Sequence, residues 1–153
     1  SLLTSAVWLI GMRPDLREAL RTDPDRCASA VEEFLRYQPP FQRILRVASE
    51  DREVAGATVR QGDTLILLLG AANRDPDQFP DPDHLDIDRS PNKHLAFGYG
   101  IHHCLGASLT RLEAPAAIRH LLQHFPNYQC LTTEPDWHDG MVRSIKHLHI
   151  ETQ

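Results

Sequence analysis

No apolar run in the 153-residue chain is long enough to cross a bilayer. The apolar opening Ser1 to Ile10 has neither a basic leading segment nor a cleavage signature. It reads as the tail of a helix, and the chain as a cytoplasmic protein with no membrane partner. Aromatic residues make up 7%, no basic stripe is interleaved with them, and the net charge is −5, so nucleic-acid binding has no support. Cysteine is scarce. Cys27, Cys104 and Cys130 are far apart and odd in number, which argues against a disulfide framework and fits a reducing compartment; packing accounts for Cys27 and Cys130. What is present is 41% apolar content, adequate for one core of ordinary size, and an unusual nine histidines.

From Phe97 to Gly106 the chain reads F-G-Y-G-I-H-H-C-L-G, two glycines and two histidines leading into a cysteine and an apolar helical pattern. A cysteine at a loop-to-helix junction meets free backbone N–H groups and the positive end of the helix dipole, which favour a thiolate. A thiolate is a strong iron ligand. Gly98 and Gly100 permit positive φ, so that a flat cofactor can lie against the main chain, and His102 adds a donor two residues before Cys104. Two other readings stand beside iron ligation. A lone cysteine is often a small buried hydrophobe, and His94, His102, His103 and Cys104 could form a zinc cluster, although the loop lacks the paired spacings that zinc favours.

The remaining pattern is helix, then strand, then helix. Arg13 to Arg21 predicts a short surface helix, with Pro14 at its first position and Leu16, Ala19 and Leu20 on one face. Asp23 is the expected N-cap of a second helix reaching about Gln38, where Pro39-Pro40 stops it. Cys27, Val31, Phe34 and Leu35 form its apolar face, and Glu33 and Arg36 are placed to pair; Glu18 and Arg21 have the same spacing and read as a solvated pair. Between Ile44 and Leu69 the period falls to two, with turn signals at Ala55-Gly56 and Gln61-Gly62-Asp63 separating three expected strands. The continuous apolar run Thr64 to Leu69 is expected to be buried. Asn73 to Arg89 is so rich in proline and aspartate that composition alone makes it a linker. A helix is expected from Cys104 with Leu105, Leu109, Leu112 and Ala116 on its packed face, an interior proline at Pro115, and His120 and His124 near its far end. Arg111 and Arg119 read either as a solvated face or as a surface for an acidic electron donor. Strand-like pieces follow at Tyr128 to Leu131 and Met141 to Ile150, around a loop containing Asp, Gly and Trp.

The Phe97–Gly106 decapeptide resembles the cysteine-ligand loop of the cytochrome P-450 family, F-G-x-G-x-H/R-x-C-x-G, and meets every fixed position. The resemblance implies that Cys104 is the fifth ligand of the iron of haem b (iron protoporphyrin IX). Phe97, Gly98 and Gly106 would frame the cofactor, and His102 would bond a propionate. Arg46, with Arg43 as the alternative, corresponds to the family's strand arginine that meets a propionate. A-V-E-E-F-L-R-Y before a proline resembles the family's E-x-x-R helix and selects Glu33 and Arg36. N-R-D-P-D-Q-F-P-D-P-D-H-L-D-I-D-R resembles its meander, whose final Arg89 would close a Glu-Arg-Arg cluster; Leu85 stands where relatives usually have phenylalanine. Val142 to Ile145, by the same likeness, would lie near the distal end of a substrate pocket.

Members of the family are well over twice this length, and the match is to their C-terminal part. The implied fold is mainly α with a small antiparallel β component. Residues 1–153 would then be the haem-binding portion of a single domain, without the N-terminal half and most of the oxygen-binding helix. That helix carries A-G-x-x-T, a context Thr4 lacks, and half a pocket should leave apolar surface exposed. The implied activity is insertion of one atom of O2 into a small hydrophobic organic substrate. Electrons would come from NAD(P)H through a ferredoxin and ferredoxin reductase. The alternative is a truncated or relict haem-binding chain without turnover, and peroxide-driven or nitric-oxide-reducing members would share these residues.

Overall fold

Apolar residues at helical spacing produce three consecutive helices at the start of the chain. The computed structural model describes residues 1–152. α1 (Leu2–Met12) buries Leu2, Ala6, Leu9 and Ile10. α2 (Pro14–Thr22) starts on Pro14, whose missing N–H is harmless in a first turn, and buries Leu16 and Leu20. The Asp23 carboxylate accepts the Asp25 N–H and caps a single 3-10 turn, Pro24–Arg26, that runs into α3 (Cys27–Tyr37). Cys27, Val31, Phe34 and Leu35 are all buried, as their spacing predicts.

The fourth wall of the core is α5 (Ala107–His124), which packs on α1, α2 and α3. Here the structure corrects the expected register. The helix starts at Ala107, with Gly106 at its N-cap and Cys104 still in the loop, and its packed face is Ala107, Ala114, Pro115, Ile118 and Leu122. Leu105, Leu109, Leu112 and Ala116 lie on the other side, exposed. Both sides of α5 are apolar, so periodicity cannot say which one meets the other helices. Pro115 sits inside the packed face and the helix continues through it, the Arg111 carbonyl having no N–H to accept there.

Gly11 allows α1 to approach the C-terminal segment. A Cβ on it would lie 2.8 Å from the Cys130 Cβ and 2.9 Å from the Tyr128 ring. Tyr128 is fully buried, its hydroxyl donating to the Val7 carbonyl at 2.7 Å, and burial pushes its ionisation up.

Four strands, one more than expected, occupy the stretch after α3. β1 (Ile44–Val47) pairs antiparallel with β4 (Thr64–Leu67), and β2 (Arg52–Val54) with β3 (Ala57–Val59). Ala55 and Gly56, both at positive φ, make the β2–β3 turn. The expectation that Thr64 to Leu69 is buried fails: Ile66, Leu67 and Leu68 are exposed and only Leu69 enters the core. A two-stranded ladder has too little surface to cover both of its faces, so an apolar run is no guide to burial here. A four-residue helix, α4 (Leu69–Ala72), leads into the Asn73–Arg89 stretch. That stretch is irregular but packed through Phe79, Leu85 and Ile87, and is no linker.

Near the end, β5 (Gln129–Cys130) pairs with β8 (Ile150–Glu151). β6 (Trp137–Asp139) and β7 (Arg143–Ile145) form a hairpin, so the tryptophan expected in a loop begins a strand. Its indole meets Trp8 edge-on at 6.0 Å, which ties the hairpin to α1. Among the described residues no helix is long and apolar enough to cross a membrane. Helices with small antiparallel ladders are the architecture that the resemblance implies.

Candidate functional site

Segments distant in sequence meet at a cleft of about 420 Å³. Its walls include Leu35 from α3, Ile44 and Arg46 from β1, Leu69, and Ala96, Phe97, Gly98, His102 and Cys104 from the loop before α5. Arg43 does not line it, which separates the two arginines left open above. Val142 reaches it from the C-terminal hairpin, whereas Ile145 is buried in the core instead.

The loop is shaped by its own backbone. The Gly98 N–H donates to the Leu95 carbonyl at 2.8 Å, and the Cys104 N–H donates to the Phe97 carbonyl at 2.8 Å, closing the turn across the two glycines. Gly98 and Gly100 have φ of 70° and 69°, a region closed to most side chains. A Cβ on Gly98 would stand 3.4 Å from the His102 carbonyl, so the positive φ and not lack of space is what calls for glycine there. Gly100–His102 form a short 3-10 turn, and the Ala107 N–H donates to the Cys104 carbonyl at 3.2 Å. Cys104 and His102 are both exposed, so the thiol is not a packed small hydrophobe. Gly106 touches the sulfur side of the loop: a Cβ there would stand 3.9 Å from Sγ.

Glu33, Arg36 and Arg89 form one buried cluster behind the loop. Arg36 grips Glu33 with two N–H groups, Nε to Oε2 at 2.8 Å and a terminal nitrogen to Oε1 at 2.7 Å, with both side chains 0% exposed. The Arg89 Nε lies 3.3 Å from Glu33 Oε2. The Asp86 N–H and the Asn92 side-chain amide complete the carboxylate's donors at 2.9 and 3.0 Å. Arg36 and Arg89 spend their other N–H groups on meander carbonyls, among them Pro80, Pro82 and His84. Glu18 and Arg21 pair on the surface of α2 with matching chemistry and no such surroundings.

Three positions carry more of the site than sequence reasoning assigned. Asn73 is fully buried; its carbonyl accepts from Arg36 and its side-chain oxygen accepts the Leu95 N–H at 2.7 Å, which joins the buried cluster to the loop. Glu32 accepts two N–H groups of Arg111 at 2.8 and 2.9 Å and lies 3.1 Å from the His94 Nε2. Burial alone would raise the Glu32 carboxyl, but the bonds from His94 and Arg111 outweigh it and bring it down to about 2. Arg111 thus lies on an exposed face of α5, as one of its two readings expects, but its guanidinium is paired with Glu32. Arg119 is likewise engaged, donating to the Pro24 carbonyl at 2.9 Å. His94 belongs to this hydrogen-bonded set, and among the described residues no three His, Cys, Asp or Glu side chains are grouped to hold a metal ion. The local signal for Glu32 was only its place beside Glu33, because its partners lie 62 and 79 residues away.

A thiol, two side chains able to donate to anions and a largely apolar wall fit an iron porphyrin, which needs a metal ligand, apolar faces and partners for its carboxylates.

Comparison with known proteins agrees with that geometry. Residues 27–146 match the family model for Cytochrome P450. The chain is 53% identical over 127 residues to the biotin biosynthesis cytochrome P450 of Bacillus subtilis (strain 168), covering 83% of this chain and 32% of that protein. It is 44% identical over 140 residues to the mycinamicin IV hydroxylase/epoxidase of Micromonospora griseorubida, covering 89% of this chain and 35% of that one. A solved structure of P450BioI in complex with an acyl carrier protein ligated with hexadec-9Z-enoic acid matches with a TM-score of 0.95 at 46% identity, over 99% of this chain and 40% of that one. The chain spans about a third of the length of these curated relatives.

Proposed function

The chain belongs to the cytochrome P450 family, and we propose that residues 1–153 are the C-terminal, haem-binding portion of a haem-thiolate monooxygenase. The whole protein would insert one oxygen atom from O2 into a small hydrophobic organic substrate, drawing electrons from NAD(P)H through a ferredoxin and its reductase in the cytoplasm. The observation that carries this reading is the meeting of Cys104, His102 and Arg46, from two separate segments, at one largely apolar cleft.

Each residue has a task set by its chemistry. Cys104, as thiolate, would hold the iron. Arg46 and His102 would donate to the propionates. Phe97 and Gly98 line the cleft where the porphyrin would bind, and Gly106 follows the sulfur at the start of α5. Glu33, Arg36 and Arg89 perform no chemistry; they fix the meander and, through Asn73, the loop. When bound, haem would supply oxygen activation, and a thiolate ligand would add the electron density that favours O–O cleavage. Three free cysteines suit a reducing compartment.

A second reading is a haem-binding chain without turnover of its own, and the observation on its side is the exposed apolar stripe of Leu109 and Leu112 on α5. The test is the carbon monoxide difference spectrum of the dithionite-reduced, haem-reconstituted chain, beside Cys104→Ala and beside a protein extended upstream. A red-shifted Soret band lost in Cys104→Ala is expected. If only the extended protein shows it, the second reading holds for this chain; if neither does, haem ligation by Cys104 is wrong.

A further inference from the structure

Resting on the reading of Cys104 as the haem ligand, we propose that Glu32, His94 and Arg111 form a second positioning unit for the cysteine loop, separate from the Glu33, Arg36 and Arg89 cluster. The set links α3, the loop's entry and α5 through contacts that converge on Phe97. Arg111 lays its guanidinium over the Phe97 ring, 4.7 Å from the centroid, while pairing edge-on with both Glu32 oxygens. His94 packs against the same ring at 5.9 Å, and Phe97 is the residue whose carbonyl accepts the Cys104 N–H. A shift of the ring therefore moves the backbone that holds the cysteine.

The ring orientation of His94 follows from its bonds. Its Nδ1 accepts the Ala96 N–H at 3.2 Å, so that nitrogen carries a lone pair. The proton then belongs on Nε2, which donates to Glu32 at 3.1 Å. That tautomer satisfies both ends, and Arg111 supplies a full positive charge beside the Glu32 carboxylate. The His94 side chain is 2% exposed, so a ring without both partners would leave a buried polar atom unpaired. The arrangement specifies the course of His94 to Phe97 from both sides: Glu32 takes the ring, and the ring takes the Ala96 backbone.

The unit differs from the Glu33 cluster in what it touches. Glu33 and its arginines hold the meander and reach toward the loop through Asn73 and Asn92, whereas Arg111 touches the loop's first aromatic ring directly. Adjacent residues on α3 thus serve different supports, because successive side chains on a helix point about 100° apart.

The test uses the full-length haem-bound protein with Arg111→Ala, His94→Ala, their double variant, Arg111→Lys, and Arg21→Ala as an exposed ion-pair control. Two readouts are taken: the rate at which the reduced carbon monoxide complex loses its red-shifted Soret band, and amide hydrogen exchange across residues 97–104 in the haem-free protein. Arg111→Ala and His94→Ala should each speed both by about five-fold, and the double variant should fall well short of the product because the two act as one unit. Arg111→Lys, which keeps the charge without the flat two-pronged contact, should restore only part of the loss. Arg111 is 43% exposed, so its alanine variant tests the idea even if His94→Ala does not fold. Wild-type rates in both readouts, or faster exchange spread evenly through α3 and α5, would overturn the proposal. A wild-type protein with no red-shifted band would overturn the ligand assignment, while exchange at residues 97–104 would still decide the positioning role.

Discussion

Replacing Glu33 by alanine should be among the most damaging single changes in the chain, and the size of the effect can be worked from its surroundings. The carboxylate accepts from two N–H groups of Arg36, from Arg89, from the Asp86 N–H and from Asn92. Both Glu33 and Arg36 are 0% exposed, so the truncation strands a guanidinium where water cannot reach it. Breaking one partner of a buried ion pair commonly costs about 3–5 kcal/mol. Against a domain stability of about 5–15 kcal/mol, that is a large share. It corresponds to a factor of roughly 10² to 10³ or more in the folding equilibrium at about 1.4 kcal/mol per decade. The assay pairs urea unfolding of the full-length protein with the yield of bound haem, for Glu33→Ala, Arg36→Ala and Glu18→Ala. Glu33→Ala and Arg36→Ala should lower the unfolding midpoint sharply and abolish haem incorporation, whereas Glu18→Ala, in an exposed pair, should match wild type in both. Glu33→Gln keeps the shape and one acceptor oxygen and should fall between. Equal haem occupancy in Glu33→Ala, Arg36→Ala and Glu18→Ala would refute the assignment of Glu33 and Arg36.

Two further outcomes follow from burial and charge. Because the folded Glu32 carboxyl is held at about 2 against an ordinary 4.5, its stabilisation is complete above about pH 4.5 and is lost as the pH falls toward 2. Wild type should therefore exceed Glu32→Gln in stability by on the order of 1–3 kcal/mol near neutrality, after allowance for the carboxylate's partial exposure, with the gap closing below about pH 4; a gap that widens in acid would contradict this. The three thiols should also separate under an aromatic disulfide reagent in the haem-free chain. Cys104 is exposed and should react first; Cys27 is fully buried and its thiol is pushed up by burial, and Cys130 is half-buried and raised for the same reason. Peptide mapping that finds Cys27 modified before Cys104 would contradict the packing around α3.

Local chemistry made the first half of the chain legible. Pro14, Asp23 and Pro39-Pro40 mark helix limits because backbone geometry acts within a turn or two, and the α3 face follows directly from its spacing. The cysteine loop was legible for the same reason: Gly98 and Gly100 adopt the positive φ that their spacing suggests. What failed was whatever depends on neighbours distant in sequence. The side of α5 that packs cannot be read when Leu105, Leu109 and Leu112 are as apolar as Ile118 and Leu122. Nor can the exposure of Ile66 be read from a run that would be equally apolar in a buried sheet.

The pair Glu32-Glu33 shows where such reading stops and why a structure adds to it. Identical adjacent side chains offer no basis in spacing for different duties: Glu33 stands i, i+3 and Glu32 i, i+4 to the same Arg36, and only the resemblance to the E-x-x-R helix selects Glu33. Helical geometry then sends the two carboxylates to different neighbours: Glu33 to the meander arginine and backbone, Glu32 to α5 and the loop's entry. Since α3 packs against α5, one short helix braces the cysteine loop from the two sides by which the chain enters and leaves it. A loop rich in glycine has little rigidity of its own. A ligand sulfur carried on such a loop keeps its place only if the flanking segments are fixed, and buried carboxylates with arginine partners do that through directional bonds that hydrophobic packing does not supply.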